Sequence, residues 1–159
     1  MTPTPNDYTI VCHSAAVFPG VAQREWVVTS SKTESYNCIA WAAGDQQRWW
    51  WPRTPQAYWP NHAPNIVTLE AFVKAFEGIG YKLCGNANLE PAVEKIAIYT
   101  NQGKPTHAAR QLADGHWTSK LGKNPDVKHA LDCLDGPMYG APGTFMSRPR
   151  GHNYSNEIV

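Results

Sequence analysis

The 159-residue chain carries almost balanced charge, with 14 Lys and Arg residues against 13 Asp and Glu residues and a formal net charge of +1. This length suits one domain, so we expect residues 1–159 to fold as a single unit around its own hydrophobic core. The neutral balance argues against a nucleic-acid partner, which requires a basic face. An aromatic content of 11% argues against disorder, and no apolar run approaches the roughly 20 residues of a membrane span.

Targeting and redox features suggest a reducing compartment. The N-terminal sequence MTPTPNDYTI has neither the basic segment nor the apolar segment of a signal peptide, so we expect a cytoplasmic protein, with export by a secretion system left open. The cysteines form no C-x-x-C pair, which predicts reduced thiols rather than zinc ligands; they are Cys12, Cys38, Cys84 and Cys133. We therefore expect no metal and no cofactor.

Patterns in the first half of the chain predict strands, helices and one aromatic loop. In chain order, the predicted elements are a polar start (1–7), two short strands (8–12 and 25–29), a buried helix (36–44), an ordered aromatic loop (49–60) and an amphipathic helix (69–79). Ser35 or Asn37 can cap the first helix, and Thr68 can cap the second. Prolines in the aromatic loop exclude a long regular element there.

The second half predicts a β meander followed by a helix. Its elements are a strand (95–100), a second strand (106–112), a returning strand (116–121), a last helix (125–134) and a surface tail from residue 136, extended or flexible over about 145–159. Asp114-Gly115 marks the hairpin between the second and third of these strands. Strands, helices and then a meander predict an α+β domain.

Cys38 has a different sequence context from the other cysteines. It opens the predicted helix over 36–44, where unpaired backbone N–H groups favour a thiolate. A thiol nucleophile needs a base, usually histidine, and the histidines lie at positions 13, 62, 107, 116, 129 and 152. His107 opens a predicted strand between small residues that leave room for a thiol and a substrate. The alternative is that Cys38 and His107 are ordinary packed residues.

Two segments, 36–44 and 95–122, together resemble the NlpC-type papain-like cysteine peptidases. The shared features are a cysteine opening an apolar helix and a histidine opening the second strand of a β meander. The resemblance implies an α+β, papain-like fold in which the cysteine helix packs on a small antiparallel meander. It also implies that Cys38 is the nucleophile, His107 is the base, and Ser119, twelve positions on, is the third catalytic residue. The chain further resembles a bacterial family marked by YNCIAWAAG, THAARQL and WTSKLG.

The third position departs from the NlpC pattern, which usually has histidine where this chain has Ser119. A serine hydroxyl can accept from an imidazole N–H, but it adds no charge that stabilises an imidazolium. Asn124 and His129 are therefore alternatives for orienting His107. A two-residue turn would place Ser119 on the face opposite His107, whereas a three-residue loop would place both on one face.

The resemblance implies a cysteine hydrolase that cleaves a peptide or amide bond through an acyl-enzyme, with peptidoglycan stem peptides as one candidate substrate. We expect the Cys38 backbone N–H to bind the oxyanion, assisted by the Asn37 or Tyr36 side chain. Trp50 and Trp51 are candidates for substrate contact, although aromatic side chains in such a loop also serve packing. The alternatives are a thiol acyltransferase or deamidase of the same fold, and a non-catalytic binding or immunity module.

Overall fold

The structure is a computed structural model that describes residues 2–23 and 25–151. Seven antiparallel strands form one sheet in the order β1-β6-β5-β4-β3-β7-β2. The strands are β1 (Trp26–Ser30), β2 (Lys82–Cys84), β3 (Val93–Asn101), β4 (Lys104–Gln111), β5 (Trp117–Lys120), β6 (Asp126–His129) and β7 (Ala141–Pro149). The helices are α1 (Pro5–His13), α2 (Cys38–Ala43) and α3 (Leu69–Glu77), and short 3-10 helices span Ser14–Ala16, Pro19–Ala22 and Leu131–Leu134.

The predicted fold class is wrong. The structure is mainly β, a seven-stranded antiparallel sheet with a few short helices, and not a papain-like α+β fold with a cysteine helix on a small meander. The difference arises because β6 and β7, which were predicted as a helix and as a surface tail, are strands inside the sheet. The β layer is therefore much larger than the predicted meander.

Both faces of the central strands are buried, because successive side chains of a strand point to opposite faces. On one side, which we call the helix face, Ile96, Ile98 and Ala108 pack against α2, α3 and the aromatic loop. On the other side, which we call the N-terminal face, Ala97 and Tyr99 pack against residues from α1 and the 3-10 helices. A functional side chain on β4 or β5 is therefore enclosed on whichever face it points to.

The two helices of the helix face have the predicted caps. The Asn37 side chain accepts from the Ala40 N–H at 3.2 Å and begins α2, and Gly44, with φ of 89°, ends it in the left-handed conformation that glycine adopts without strain. The Thr68 hydroxyl accepts from the Ala71 N–H at 3.2 Å and begins α3. The predictions of both helices are confirmed, and Asn37 rather than Ser35 is the cap of α2.

The prediction of a strand over 8–12 is wrong, because this segment belongs to α1. The Thr4 hydroxyl accepts from the Asp7 N–H, and the Asp7 carboxylate accepts from the Thr4 N–H at 2.8 Å, which forms a capping box. Pro5 occupies the first helical position, where its missing N–H costs nothing. Thr4, Pro5 and Asp7 thus specify the start of α1, although the β-branched residues that follow them are typical of a strand.

The predicted last helix and surface tail are also wrong. Residues 126–129 form β6, and only Leu131–Leu134 is helical, as a short 3-10 turn. β7 lies inside the sheet between β3 and β2, although it contains two prolines. Both prolines lie near the strand ends, where a missing N–H is tolerated. Residues 152–159 of the predicted flexible tail lie outside the described residues, as does His152.

The loop before α3 is ordered, as predicted. Trp50 is fully buried and forms an isolated bridge to Tyr58, and its indole N–H donates to Asp45 Oδ2 at 2.8 Å. Trp51 and Trp59 pack against Phe72 of α3, with ring centroids 5.2 and 5.0 Å apart. Trp50 therefore serves packing, the alternative that the sequence left open beside substrate contact. None of the helices in the described ranges has the length and apolar character needed to cross a membrane.

Candidate functional site at Cys38 and His107

Cys38 is the first residue of α2 and is 5% exposed. Burial raises the pKa of its thiol to about 11, against an opposing effect of the backbone amides of Ala108, Ile39 and Cys38 itself. The Ala108 amide comes from β4. Since the Leu112 N–H donates to the His116 carbonyl at 2.7 Å, the N–H groups at alternate positions before it, including that of Ala108, also point towards β5. The sulfur thus lies against the residue that follows His107.

A gap in the sheet makes room for this contact. The pairing of β4 with β5 consists of Arg110↔Thr118 and Gln111↔Trp117, and it does not continue to Ala108. Helix α2 covers the gap on the helix face, where the Trp41 indole N–H donates to Thr118 Oγ1 at 2.9 Å. The Ala108 amide is therefore free of a β5 partner in the pairing and faces the first turn of α2.

His107 lies on β4 and is fully buried on the N-terminal face. Its Nε2 lies 2.9 Å from Ser119 Oγ, and the same oxygen lies 2.7 Å from His129 Nε2. The Nδ1 atom of His129 lies 2.6 Å from the Ala130 carbonyl oxygen. Three side chains from three neighbouring strands thus form one buried hydrogen-bonded relay.

The acceptors in this relay determine where its protons lie. A carbonyl oxygen only accepts, so His129 Nδ1 carries the proton that it donates to Ala130. The Nε2 of the neutral His129 ring then accepts from the Ser119 hydroxyl, whose oxygen accepts from His107 Nε2–H. His107 Nδ1 is left as a bare lone pair, and this buried atom has no hydrogen-bond partner among the described residues. That nitrogen is the one available base in the relay.

Aromatic rings hold the His107 imidazole. Tyr139 stacks on it with centroids 4.1 Å apart and an interplanar angle of 13°, and Tyr99 meets it edge-on at 5.0 Å. Gly140, next to Tyr139, has φ of 75°, and a Cβ there would lie 1.9 Å from the Thr100 carbonyl oxygen. Glycine therefore allows the chain to approach β3 and bring Tyr139 onto His107. Burial, and secondarily the His129 ring, lowers the pKa of His107 well below its ordinary value, so the imidazole is neutral at pH 7.

The strand register decides which of Ser119, Asn124 and His129 orients His107. The Leu112 and His116 backbones pair across a three-residue loop, 113–115, which places Ser119 on the same face as His107. Ser119 contacts His107 directly, and His129 contacts Ser119. Asn124 lies in the turn between β5 and β6, where its N–H donates to the Leu121 carbonyl. His129 is part of the relay because residues 126–129 are a strand, which the helix prediction hid.

The residues expected to bind substrate have other partners. The Asn37 amide is fully used, because Oδ1 accepts from the Trp50 and Ala40 N–H groups and Nδ2 donates to the Trp50 carbonyl at 2.8 Å. The Tyr36 hydroxyl donates to Asp126 Oδ2 at 2.9 Å. Trp50 is buried, whereas Trp51 borders a depression of about 260 Å³ that also includes Arg53. Of these four side chains, Trp51 is the one that reaches a surface depression.

Asn37→Asp is expected to destabilise the protein by about 1–3 kcal/mol, because a carboxylate cannot donate to the Trp50 carbonyl and would place two oxygen acceptors against each other. Urea unfolding at pH 7 measures this effect. Asn61→Asp, at an exposed position, is the matched control and should change the free energy of unfolding little. An equally small effect at position 37 would show that the Nδ2 bond contributes nothing.

Acid should destabilise the fold through His129. Burial lowers the pKa of its imidazole to about 4, below the ordinary value near 6.5 of an unfolded chain, so the unfolded state binds the proton more readily. This contribution is complete above pH 6.5 and is lost as the pH falls from 6.5 towards 4, on the order of 3 kcal/mol. Melting temperatures between pH 7 and 4 measure it. His129→Gln should make the decline shallower without abolishing it, because the pKa of buried His107 is also lowered, while exposed His116→Gln should leave it as steep as in the wild type.

One family profile matches the chain. It is a domain of unknown function, DUF7689, and it matches residues 27–147. This range includes all seven strands except the ends of β1 and β7, and it contains Cys38 and the relay residues His107, Ser119 and His129. No curated protein and no solved structure gives a significant match. Because the match covers most of the chain, the protein belongs to the DUF7689 family.

Proposed function

We propose that this protein is a cysteine-dependent hydrolase that cleaves an amide or peptide bond through an acyl-enzyme on Cys38. One observation carries the proposal: the relay leaves the buried Nδ1 of His107 bare and without a partner, and the amide of the next residue, Ala108, meets the Cys38 sulfur. Tyr139, which stacks on His107, also shares the electrostatic surroundings of Cys38. Nucleophilic catalysis requires a cysteine together with a neutral imidazole that is oriented by a third group.

The reaction proceeds in two balanced steps. His107 Nδ1 takes the thiol proton while Cys38 Sγ attacks the substrate carbonyl carbon, and the imidazolium then gives the proton to the departing amine as the C–N bond breaks. In the second step His107 takes a proton from water, whose oxygen attacks the thioester carbon. The C–S bond breaks, the thiol regains its proton and a carboxylic acid leaves.

The charge states favour proton transfer coupled to attack. At pH 7 the Cys38 pKa of about 11 and the lowered pKa of His107 keep the pair neutral, so His107 acts as a general base rather than as a preformed imidazolium. Ser119 and His129 keep the His107 proton on Nε2. Without a carboxylate in the relay, their contribution is to the orientation and tautomer of the ring rather than to its charge.

A peptide is the substrate class that the surroundings favour. A depression bordered by Glu34, Ser35, Arg48 and Trp49 adjoins the segment that leads into Cys38, and it offers charges of both signs and an aromatic ring. Arg48 itself is bound to Asp45 at 3.0 Å and lies over the Tyr58 ring, so it is held in place. Peptidoglycan stem peptides, which carry both amide bonds and free carboxylates, are the first substrates to test.

A non-catalytic binding module is the second candidate, and the burial of the site favours it. Cys38 is 5% exposed and packs on the helix face, whereas His107 is fully buried on the N-terminal face and its Nδ1 makes no hydrogen bond to the thiol. Catalysis would therefore require the groups around the thiol to move as substrate enters. In a binding module the relay would serve only the stability of the core. Chemical turnover separates the two candidates.

Turnover of stem peptides and simple peptide amides by the full chain tests the proposal. We expect the wild type to release amine and carboxylic acid, Cys38→Ala to release neither, and Cys133→Ala, which alters another buried cysteine, to retain activity. An acyltransferase would instead give an amide or ester product when an amine or alcohol is added. Turnover that persists in Cys38→Ala, or none in the wild type on any amide, contradicts the hydrolase proposal.

A further inference from the structure

Lys120 is a buried cation at the end of β5, on the same face of the sheet as α2. Extending the Arg110↔Thr118 pairing by two residues places Lys120 across from Ala108, whose amide faces the Cys38 sulfur. Side chains at alternate positions of β5 share a face, and Thr118 already contacts Trp41 of α2. The Lys120 side chain therefore starts in the gap where Cys38 lies.

The partners of the Lys120 ammonium are neutral. Its Nζ donates to the Thr33 carbonyl at 2.8 Å and to the Gly122 carbonyl at 2.5 Å, and it lies 5.1 Å from the centre of the Tyr36 ring. Asp126, the acidic residue of this cluster, accepts from the hydroxyls of Tyr36 and Thr29 instead. Among the described residues, the hydrogen-bond partners of this ammonium are therefore neutral dipoles, and the Asp126 charge acts on it without a hydrogen bond.

The ionisable groups that face this pair come from several elements. Lys120 faces Asp126 of β6 and Tyr36 ahead of α2, and Cys38 shares its surroundings with Tyr139, which stacks on His107 of β4. Burial lowers the pKa of Lys120 to about 8, although the Asp126 charge opposes this effect, so the ammonium form predominates at pH 7. On Cys38, burial raises the thiol pKa, while the backbone amides of Ala108, Ile39 and Cys38 and, to a smaller extent, the Lys120 charge lower it.

We infer that Lys120 is a positioning residue whose ammonium favours the thiolate form of Cys38 and whose bond to Thr33 holds the segment leading into α2. The inference rests on the proposed function and adds a charged positioning residue to the proposed Cys38 site. The relay on the opposite face supplies the base but no charge. Lys120 supplies the charge that the thiolate meets when His107 removes its proton.

Peptide-resolved alkylation of the full chain with iodoacetamide tests the inference without a substrate. At pH 7 we expect Cys38 to react about tenfold more slowly in Lys120→Met than in the wild type, because one thiol pKa unit corresponds to tenfold less thiolate. Lys120→Arg, which keeps the charge, should stay near the wild-type rate. Lys123→Met, at an exposed position three residues on, is the matched control, and the exposed Cys12 is the internal standard.

The pH dependence separates charge from a purely structural role. As the pH rises through about 8, the wild-type Lys120 loses its proton. The alkylation rate of Cys38 should therefore increase less steeply with pH near 8 than it does below or above that value. Lys120→Arg stays charged and should rise without an inflection, as should the slower Lys120→Met.

Three results would overturn the inference: a wild-type rate in Lys120→Met, equal losses in the Met and Arg variants when both are folded, or a wild-type profile with no inflection. If the variants unfold, the wild-type profile alone decides. A wild type without amide turnover whose Cys38 still depends on the Lys120 charge would overturn the proposed function and leave this inference standing.

Discussion

His107→Gln should reduce kcat on a peptide amide by about 10²–10⁴, the range that general acid–base catalysis contributes. A glutamine amide occupies similar space and can still donate to Ser119, but it has no basic nitrogen to take the Cys38 proton. Its effect on turnover should therefore exceed its effect on folding. Steady-state kinetics together with the melting temperature measure the two separately.

The relay predicts an order among its members. Ser119→Ala removes the acceptor of His107 Nε2–H and frees the ring to change tautomer, so we expect a smaller loss of kcat than in His107→Gln. His116→Gln, on the exposed end of the β4–β5 hairpin, is the control and should keep wild-type kinetics. Equal activity in His107→Gln and the wild type would exclude His107 as the base.

Trp50→Ala should destabilise the protein by about 3–5 kcal/mol, the largest stability effect that we expect from a single substitution. The side chain is fully buried, its indole N–H donates to Asp45, and its backbone is bound on both sides by Asn37. Removing the ring leaves a cavity beside α2 and takes away one of the two donors to Asp45 Oδ2, the other being Arg48 Nε. Denaturant unfolding followed by circular dichroism measures the free-energy difference.

The neighbouring tryptophan provides the control. Trp49 is half-buried, so Trp49→Ala should lower the free energy of unfolding markedly less than Trp50→Ala does. Trp50→Phe keeps most of the apolar contact and loses only the bond to Asp45, so an intermediate value is expected. Similar losses of unfolding free energy in Trp49→Ala and Trp50→Ala would contradict the view that Trp50 holds α2 in place.

Local patterns in the sequence predicted the elements whose signals are short and consistent. The Asn37 and Thr68 caps and the helical spacing from Leu69 onward correspond to α2 and α3, and the Asp114-Gly115 turn corresponds to the β4–β5 hairpin. The order of these elements pointed to Cys38 and His107, and the resemblance to the NlpC-type peptidases added Ser119. Their distances depend on strand register, which a one-residue change in the loop would reverse.

The remaining elements depend on tertiary pairing that no local pattern displays. β7 has prolines near both ends and a glycine within it, a composition typical of loops, yet Phe145 and Met146 pack on opposite faces of the sheet. Pro125-Asp126 resembles a helix start, but the Asp126 carboxylate instead binds the Tyr36 hydroxyl and begins β6. Because β6 and β7 were not predicted as strands, the sequence patterns could not place His129 beside Ser119 or Tyr139 against His107.

Intact-mass detection of an acyl-thioester on Cys38 tests the hydrolase account most directly. The full chain is mixed with a stem-peptide substrate, quenched in acid at successive times and digested to locate the modification. We predict that Cys38 gains the mass of the acyl portion of the substrate and then loses it to water, and that His107→Gln gains it far more slowly. A chain that consumes the substrate without acylating Cys38, or that becomes acylated at Cys12 and never at Cys38, would contradict the account.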